Sequence, residues 1–310
     1  MKRAGTMKTV HAGRRARPLA ARDLERVVEL DAALSGRSRR GYFERRLAAA
    51  QRDPERHLQL AVDEDGALAG FILGHTLEGE FGRSEPAVRL EALGVTAPAQ
   101  GQGLGSLLAE TFEAEARRRG VTEVCSAALW REHELLRFLD RTGYRLAPVH
   151  VLEGPTGRDF APLARDAFEV ALLQERDIDG IARIDRRHTG RERRGYLCRT
   201  VAEALADSAV RISLAAHIDS ALAGYLMARV DYGDFGRVEP VAVIDTIGVD
   251  PMRAREGIAR ALLSQLFMNL AGLGVERVET VVEPGRLDLL GFFHGAGLRP
   301  AERLSLLKRI

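Results

Sequence analysis

The chain has 310 residues, of which 45% are hydrophobic and 29% charged, a length and composition that fit two soluble domains of about 150 residues each. A net charge of +2, from 46 basic and 44 acidic residues, gives no electrostatic case for a dedicated nucleic-acid binder. No apolar run approaches the roughly 18 residues that span a bilayer, the basic stretch from Met1 to Arg17 lacks the apolar core of a signal peptide, and the two cysteines, Cys125 and Cys198, build no disulfide framework, so a cytoplasmic protein without membrane or nucleic-acid partners is expected.

Residues 23–33 carry apolar side chains at helical spacing (Leu24, Val27, Val28, Leu30), and residues 42–50 read as a second helix. Strand-like runs follow at 58–62, 68–77 and 87–95, with Asp63, Glu64, Asp65 and Gly66 turning the chain before the second. Residues 103–119 predict a long amphipathic helix stopped by Gly120. A strand at 121–129, a short helix at 132–141 and a strand at 144–152 close the unit. Each unit is thus a mixed α/β domain.

The chain then repeats itself. GEFGRSEP starts at Gly79 and GDFGRVEP at Gly233, with six of eight positions identical and an offset of 154. GRSRRGY starts at Gly36 and GRERRGY at Gly190, at the same offset, with six of seven identical. That offset also carries Gly70 onto Gly224, Gly103 onto Gly257, Gly120 onto Gly274 and Gly143 onto Gly297. A gapless offset over this span marks a duplication of a whole domain, because solenoid periods are much shorter. The Gly-, Pro- and charge-rich stretch 154–166 reads as the boundary, giving domains at 1–155 and 166–310 that pack on each other.

Between the strand ending at Val95 and the long helix lies TAPAQGQGLGS. Gly101, Gly103 and Gly105 let backbone N–H groups converge on a helix N-terminus, a device that binds pyrophosphate. No Gly-Lys-Ser/Thr follows, so this is no P-loop. The run Gln100-Gly101-Gln102-Gly103-Leu104-Gly105 resembles the Q/R-x-x-G-x-G/A signature of the GNAT acyltransferases. The runs LEALGV and IDTIGV are similar to that family's fourth strand, and the order of elements agrees over nearly all of each copy. The resemblance implies a tandem duplication of the GNAT fold, with acetyl-CoA as co-substrate. It implies that Leu93, Gly94 and Val95 line the acetyl and pantetheine arm, while Gln100, Gly101, Gln102, Gly103, Leu104, Gly105 and Ser106 hold the pyrophosphate. In the second copy the corresponding residues are Val249, Arg255, Gly257, Ile258 and Ala259. That copy departs from the signature at Ala254, where Gln or Arg is wanted, and at Arg255, a non-glycine residue that narrows backbone freedom while still allowing a helix-like φ. The second copy is therefore expected to bind acetyl-CoA more weakly or not at all.

Acetyl transfer to an amine needs a base, a polarised thioester carbonyl and a proton for the leaving thiolate. None of the eight histidines recurs at offset 154 (His133 falls on Leu287, His217 on Asp63), and neither cysteine does, which argues against a shared metal site. Carboxylates recur. Glu91 and Asp245 sit inside the fourth strand among apolar residues, and read either as bases with raised pKa values or as partners of a nearby arginine. Glu85 and Glu239, at the start of that strand, are second candidates. The resemblance also implies a Tyr as thiolate acid, but Leu139 and Phe293 stand there, leaving water, Tyr42 or Tyr196. Arg37, Arg39, Arg40, Arg191, Arg193 and Arg194 of the paired GRxRRGY segments offer cations for an acidic acceptor or for phosphates, or a solvated helix start. The expected activity is acetyl-CoA-dependent N-acetylation of a small-molecule or peptide amine by direct attack in a ternary complex. The alternative is a non-catalytic acyl-CoA-binding or scaffolding module with a degenerate second copy.

Overall fold

In the computed structural model, residues 14–77, 86–157, 167–206, 212–231 and 239–310 are described. Most of both GxFGRxEP segments, including Glu85, and most of the 154–166 stretch lie outside the described residues. The first half opens with a short strand β1 (Ala16–Pro18), then α1 (Leu24–Ser35) and α2 (Arg40–Arg52). A meander β2 (His57–Glu64), β3 (Ala67–Leu77) and β4 (Ala87–Val95) leads to α3 (Leu104–Arg118), β5 (Glu123–Leu129), α4 (His133–Arg141) and β6 (Arg145–Leu146). After β7 (His150–Pro155) the second half repeats the plan. It runs β8 (Glu169–Leu172), α5 (Ile178–Thr189), α6 (Arg194–Ala206), β9 (Leu214–Ile218), β10 (Ala221–Asp231) and β11 (Val241–Val249). Then come α7 (Ile258–Gly272), β12 (Arg277–Val282), α8 (Leu287–Gly295), β13 (Arg299–Pro300) and β14 (Arg303–Arg309).

Two mixed seven-stranded sheets result, ordered β1-β2-β3-β4-β5-β14-β6 and β13-β7-β12-β11-β10-β9-β8. Each is covered on both faces. In the first, α3 lays Leu104, Leu108, Phe112 and Ala116 against Leu58, Ile72, Val88 and Leu90. The opposite face meets α1 and α2 through Val27, Val28, Tyr42 and Phe43, packed on Phe71, Leu73 and Ala92. The apolar spacing that predicted these helices is the spacing of their buried stripes.

The closing strands cross over, and here the expectation of one strand at 144–152 is corrected. The chain leaves the first sheet after β6, and β7 inserts into the second sheet between β12 and β13, with Leu152 opposite Thr280. Reciprocally, β14 inserts between β5 and β6, with Leu306 opposite Ser126. Leu152 is buried in the second core and Leu306 in the first. These leucines are equivalent, 154 positions apart, so each sheet takes the other copy's strand at the same place. On the side away from β4 and β11, β5 and β12 are thereby paired along their whole length, and the two halves are laced together.

Candidate active site

Beside Leu93, Gly94 and Val95 a gap opens in the first sheet. The parallel β4–β5 ladder pairs Ala87, Val88 and Arg89 with Glu123, Val124 and Cys125, then stops. A hydroxyl takes over at the fork, where Ser126 Oγ donates to the Leu90 carbonyl at 3.2 Å. The second copy forks after Ile244 opposite Thr280, whose Oγ1 donates to the Ile244 carbonyl at 3.1 Å. Beyond the fork, the Thr96 N–H donates to Ala69 O at 2.9 Å on the β3 side. Since strand backbone groups alternate in direction, Val95 and Leu93 turn their N–H and C=O groups toward β5, into the gap. Gly94 is small for a reason of packing. A Cβ there would stand 2.6 Å from Leu30 and 2.7 Å from Phe71.

From Val95 the chain makes a 3-10 turn at Ala97–Ala99 and reaches α3 through Gly101 and Gly103, with φ of +76° and +85°. Gly103 is the N-cap, and no side chain caps the helix. The first-turn amides of Leu104, Gly105 and Ser106 therefore point outward as an anion site at the positive end of the dipole. The glutamine side chains hold the loop itself. Gln100 Nε2 donates to the Val95 carbonyl at 3.1 Å, and Gln102 Nε2 to the Pro98 carbonyl at 2.8 Å. Both side chains thereby brace the loop from within.

In the second copy Gly257 (φ +95°) again precedes an uncapped helix that begins Ile258, Ala259. Arg255, which stands where the first copy has Gly101, does not take the helix-like φ open to it and has φ +69°. It is held in the left-handed region, at a cost of about 1–2 kcal/mol for a side chain with a Cβ. Ala254 cannot brace Val249, and His188 of α5 does so instead, with Nε2 2.6 Å from the Val249 carbonyl. Beside it Arg187 binds both carboxylate oxygens of Asp250 at 2.6 and 2.7 Å. The end of α5 is thus clamped onto the start of the loop. The matching residues of the first copy, Ala33 and Leu34 beside Thr96, carry no charge.

Glu91 and Asp245 occupy one special position, and it is a β-bulge. Leu73 pairs with Ala92 while Gly74 pairs with Leu90, so Glu91 is the extra residue. Met227 and Ala228 skip Asp245 in the same way. The bulge re-aims the side chain and puts Glu91 and Ala92 together on the face covered by α1 and α2. There Glu91 is 1% exposed, ion-paired with Arg46 of α2, and its Oε1 lies 2.9 Å from His75 Nδ1. Burial pushes its carboxyl up, but Arg46 and His75 outweigh burial and hold it at about 2. The raised pKa expected of a base is corrected in direction, and the paired-carboxylate alternative describes Glu91. Asp245 pairs with Arg229 and keeps 14% of its side chain exposed. Neither His75 nor Arg46 was singled out in the sequence; no motif joins residues that meet only across β3, β4 and α2.

Acid should loosen this cluster in two steps. Burial lowers His57, beside His75, from 6.5 to about 4, so its share of stability is complete above pH 6.5 and fades as pH falls to 4. The share of Glu91, lowered from 4.5 to about 2, is complete above pH 4.5 and fades toward pH 2. Thermal melts from pH 7 to 3 should show both, with H57Q flattening the upper step and E91Q the lower. Parallel curves for all three proteins would contradict the assignment.

The duplicated GRxRRGY segments turn out to clasp helices. Gly36 and Gly190 end α1 and α5 with φ of +76° and +69°. Arg39 then pairs with buried Asp31 and lies over the Tyr42 ring, as Arg193 does with Asp185 and Tyr196. Arg40 and Arg194 pair with Glu25 and Asp179. Arg39 and Arg193 are thus committed to the fold, Arg40 and Arg194 make ion pairs on the surface, and Arg37 and Arg191 are exposed. Leu139 and Phe293 are fully buried in the cores, and Glu239 is exposed. Among the described residues no cluster of His, Cys, Asp and Glu could hold a metal ion, and no helix is long and apolar enough to cross a membrane. A cavity of about 380 Å³, lined by residues including Glu153, Pro155, Arg277 and Arg299, lies at the crossed-over β7, away from both loops.

A sequence profile of the Acetyltransferase (GNAT) family matches residues 24–144 and 179–297. Mycothiol acetyltransferase of Clavibacter sepedonicus is 37% identical over 112 residues, 36% of this chain and 34% of that protein, so the match spans about a third of that relative. Mycothiol acetyltransferase of Kineococcus radiotolerans is 29% identical over 264 residues, 78% of each chain. The solved structure of a tandem GNAT protein from the clavulanic acid biosynthesis pathway superposes with a TM-score of 0.65 at 14% identity, covering 96% of this chain and 98% of that one. A GCN5-related N-acetyltransferase from Sphaerobacter thermophilus does so with a TM-score of 0.63 at 19% identity, covering 96% and 95%. Identities this low speak for the fold alone. With one profile match on each repeated unit, the chain belongs to the Acetyltransferase (GNAT) family.

Proposed function

We propose that the protein is an acetyl-CoA-dependent N-acetyltransferase of the cytoplasm, transferring acetyl to an amine by direct attack in a ternary complex, with the first copy carrying the coenzyme. One observation supports this most. The backbone edge of Leu93 and Val95 that faces away from β3, with only the Val95 carbonyl engaged by Gln100, runs directly into the uncapped N-terminus of α3. An extended amide-bearing arm would pair with that edge, and a pyrophosphate would sit on the amides of Leu104, Gly105 and Ser106. Together these groups anchor a coenzyme so that its thioester reaches the bulge at Glu91. In the second copy the clamp of α5 on the loop opposes binding.

At the fork the chain's task is to hold the thioester and to accept a proton as the amine nitrogen attacks its carbonyl. Leu139, buried where the family's thiolate acid would stand, leaves that last protonation to solvent. The acceptor class follows from chemistry alone, a nucleophilic amine. The relatives named mycothiol acetyltransferases make the acceptor of those enzymes the first to try. Incubating the full chain with acetyl-CoA and a panel of small amines and peptides should release free coenzyme and one acetylated amine. Binding of acetyl-CoA without product from any amine favours the non-catalytic binding module instead.

A further inference from the structure

We propose that His75, held in place by Glu91, is the base that takes the proton of the acceptor amine in the first copy. This rests on the reading of that copy as the acetyl-transferring one. Glu91 alone cannot be the base, because 1% exposure leaves an acceptor no access to it, whereas His75 keeps 18% of its side chain exposed. The two meet at 2.9 Å between His75 Nδ1 and Glu91 Oε1. Neither atom has a hydrogen bond of good geometry, so the contact acts electrostatically: a carboxylate against one ring nitrogen favours the tautomer with the proton on Nδ1 and leaves Nε2 as the acceptor. Arg46 pairs with Glu91 and keeps it ionised and fixed.

Position agrees with this role. His75 lies opposite Arg89, the last residue of the β4–β5 ladder, so the imidazole stands at the level where the coenzyme gap opens. The bulge at Glu91 brings the carboxylate onto the same face. The other titratable and charged groups around the pair are Arg89 on β4, His57 on β2, Arg56 just before β2, and Arg46 on α2. His57, its ring centre 6.2 Å from that of His75, is neutral at neutral pH and adds no charge against a protonated His75.

In the transfer, the amine lone pair bonds to the thioester carbonyl carbon. Its N–H proton passes to His75 Nε2, the C–S bond breaks, and the electron pair leaves on the thiolate. The imidazolium then returns its proton to the thiolate or to water, and Glu91 stays ionised throughout. The second copy cannot do this. Arg229 replaces His75 and Thr200 replaces Arg46, and a guanidinium accepts no proton.

The test compares the full chain with His75→Gln, following acetyl-CoA binding by calorimetry and coenzyme release to the best amine of the panel and to water. H75Q should bind acetyl-CoA within about twofold of the parent, yet turn over at least about 100-fold more slowly. It should also lose the acidic limb of the kcat/KM profile against pH. In His75→Ala, which leaves a hole, added imidazole should restore part of the rate. Whichever variant melts like the parent carries the comparison. Parental rate and pH profile in that variant would overturn the proposal. So would a parent that binds acetyl-CoA but releases coenzyme to neither amine nor water, although the coenzyme site would survive that result. A parent that binds no acetyl-CoA removes the site and the proposal together.

Discussion

Ending the chain after Ala301 is expected to unfold the first half of the protein, although the deletion lies at the other end of the sequence. The truncation removes β14, which pairs with β5 from Arg303 opposite Leu129 to Arg309 opposite Glu123. It also takes Leu306 out of the core beneath α3. Two strand edges would be exposed inside a sheet, and the leucine's burial alone is worth about 2–5 kcal/mol. That is a large share of the 5–15 kcal/mol that holds a typical domain. A milder version keeps the strand. Leu306→Ala in the full chain should lower the melting midpoint by roughly 5–15 °C and make the Glu91 cluster more accessible to hydrogen exchange. Residues 1–157 expressed alone should fail to melt cooperatively as a monomer and should recover only when mixed with the complementary piece. A cooperative monomeric melt from that piece by itself would contradict the reciprocal crossover.

Gly103→Val is the second large effect. Gly103 has φ +85° at the N-cap of α3, where a β-branched residue is a backbone outlier. Its methyl groups would also crowd the outward amides of Leu104 and Gly105. Acetyl-CoA affinity should fall at least about 100-fold, or about 2.7 kcal/mol, and turnover should fall with it. Gly257→Val, at φ +95° in the second copy, should leave both nearly unchanged. If the Gly257 variant loses activity and the Gly103 variant keeps it, the working half is the second. Gly103→Ala, with the same φ strain and less bulk, should lie between parent and valine.

Much of this was legible in the sequence because it is local. The strand at 87–95 and the helix stopped by Gly120 follow from alternation, period and glycine placement, and the structure has β4 at Ala87–Val95 and Gly120 at φ +77°. The Gln100–Gly105 signature located the loop by its glycine spacing, and its glycines at 101 and 103 have positive φ.

What stayed hidden depends on pairing. The bulge at Glu91 exists only in the register between β3 and β4. The crossover of β7 and β14 was hidden by the duplication itself, since Leu152 and Leu306 occupy matching positions and either strand suits either sheet. Asking which residues recur at offset 154 found Glu91 and Asp245, yet it set aside His75, whose counterpart is Arg229. A duplicated chain whose halves have diverged keeps its scaffold residues in common, as the GRxRRGY clasp does. Residues particular to one half drop out of such a comparison.

The most direct test of a first-copy acetyl-CoA site is a calorimetric titration of the full chain with acetyl-CoA at neutral pH. One equivalent per chain is expected, retained in Gly257→Val and absent in Gly103→Val. No binding heat at any concentration, or a single site that survives the Gly103 change, would contradict it.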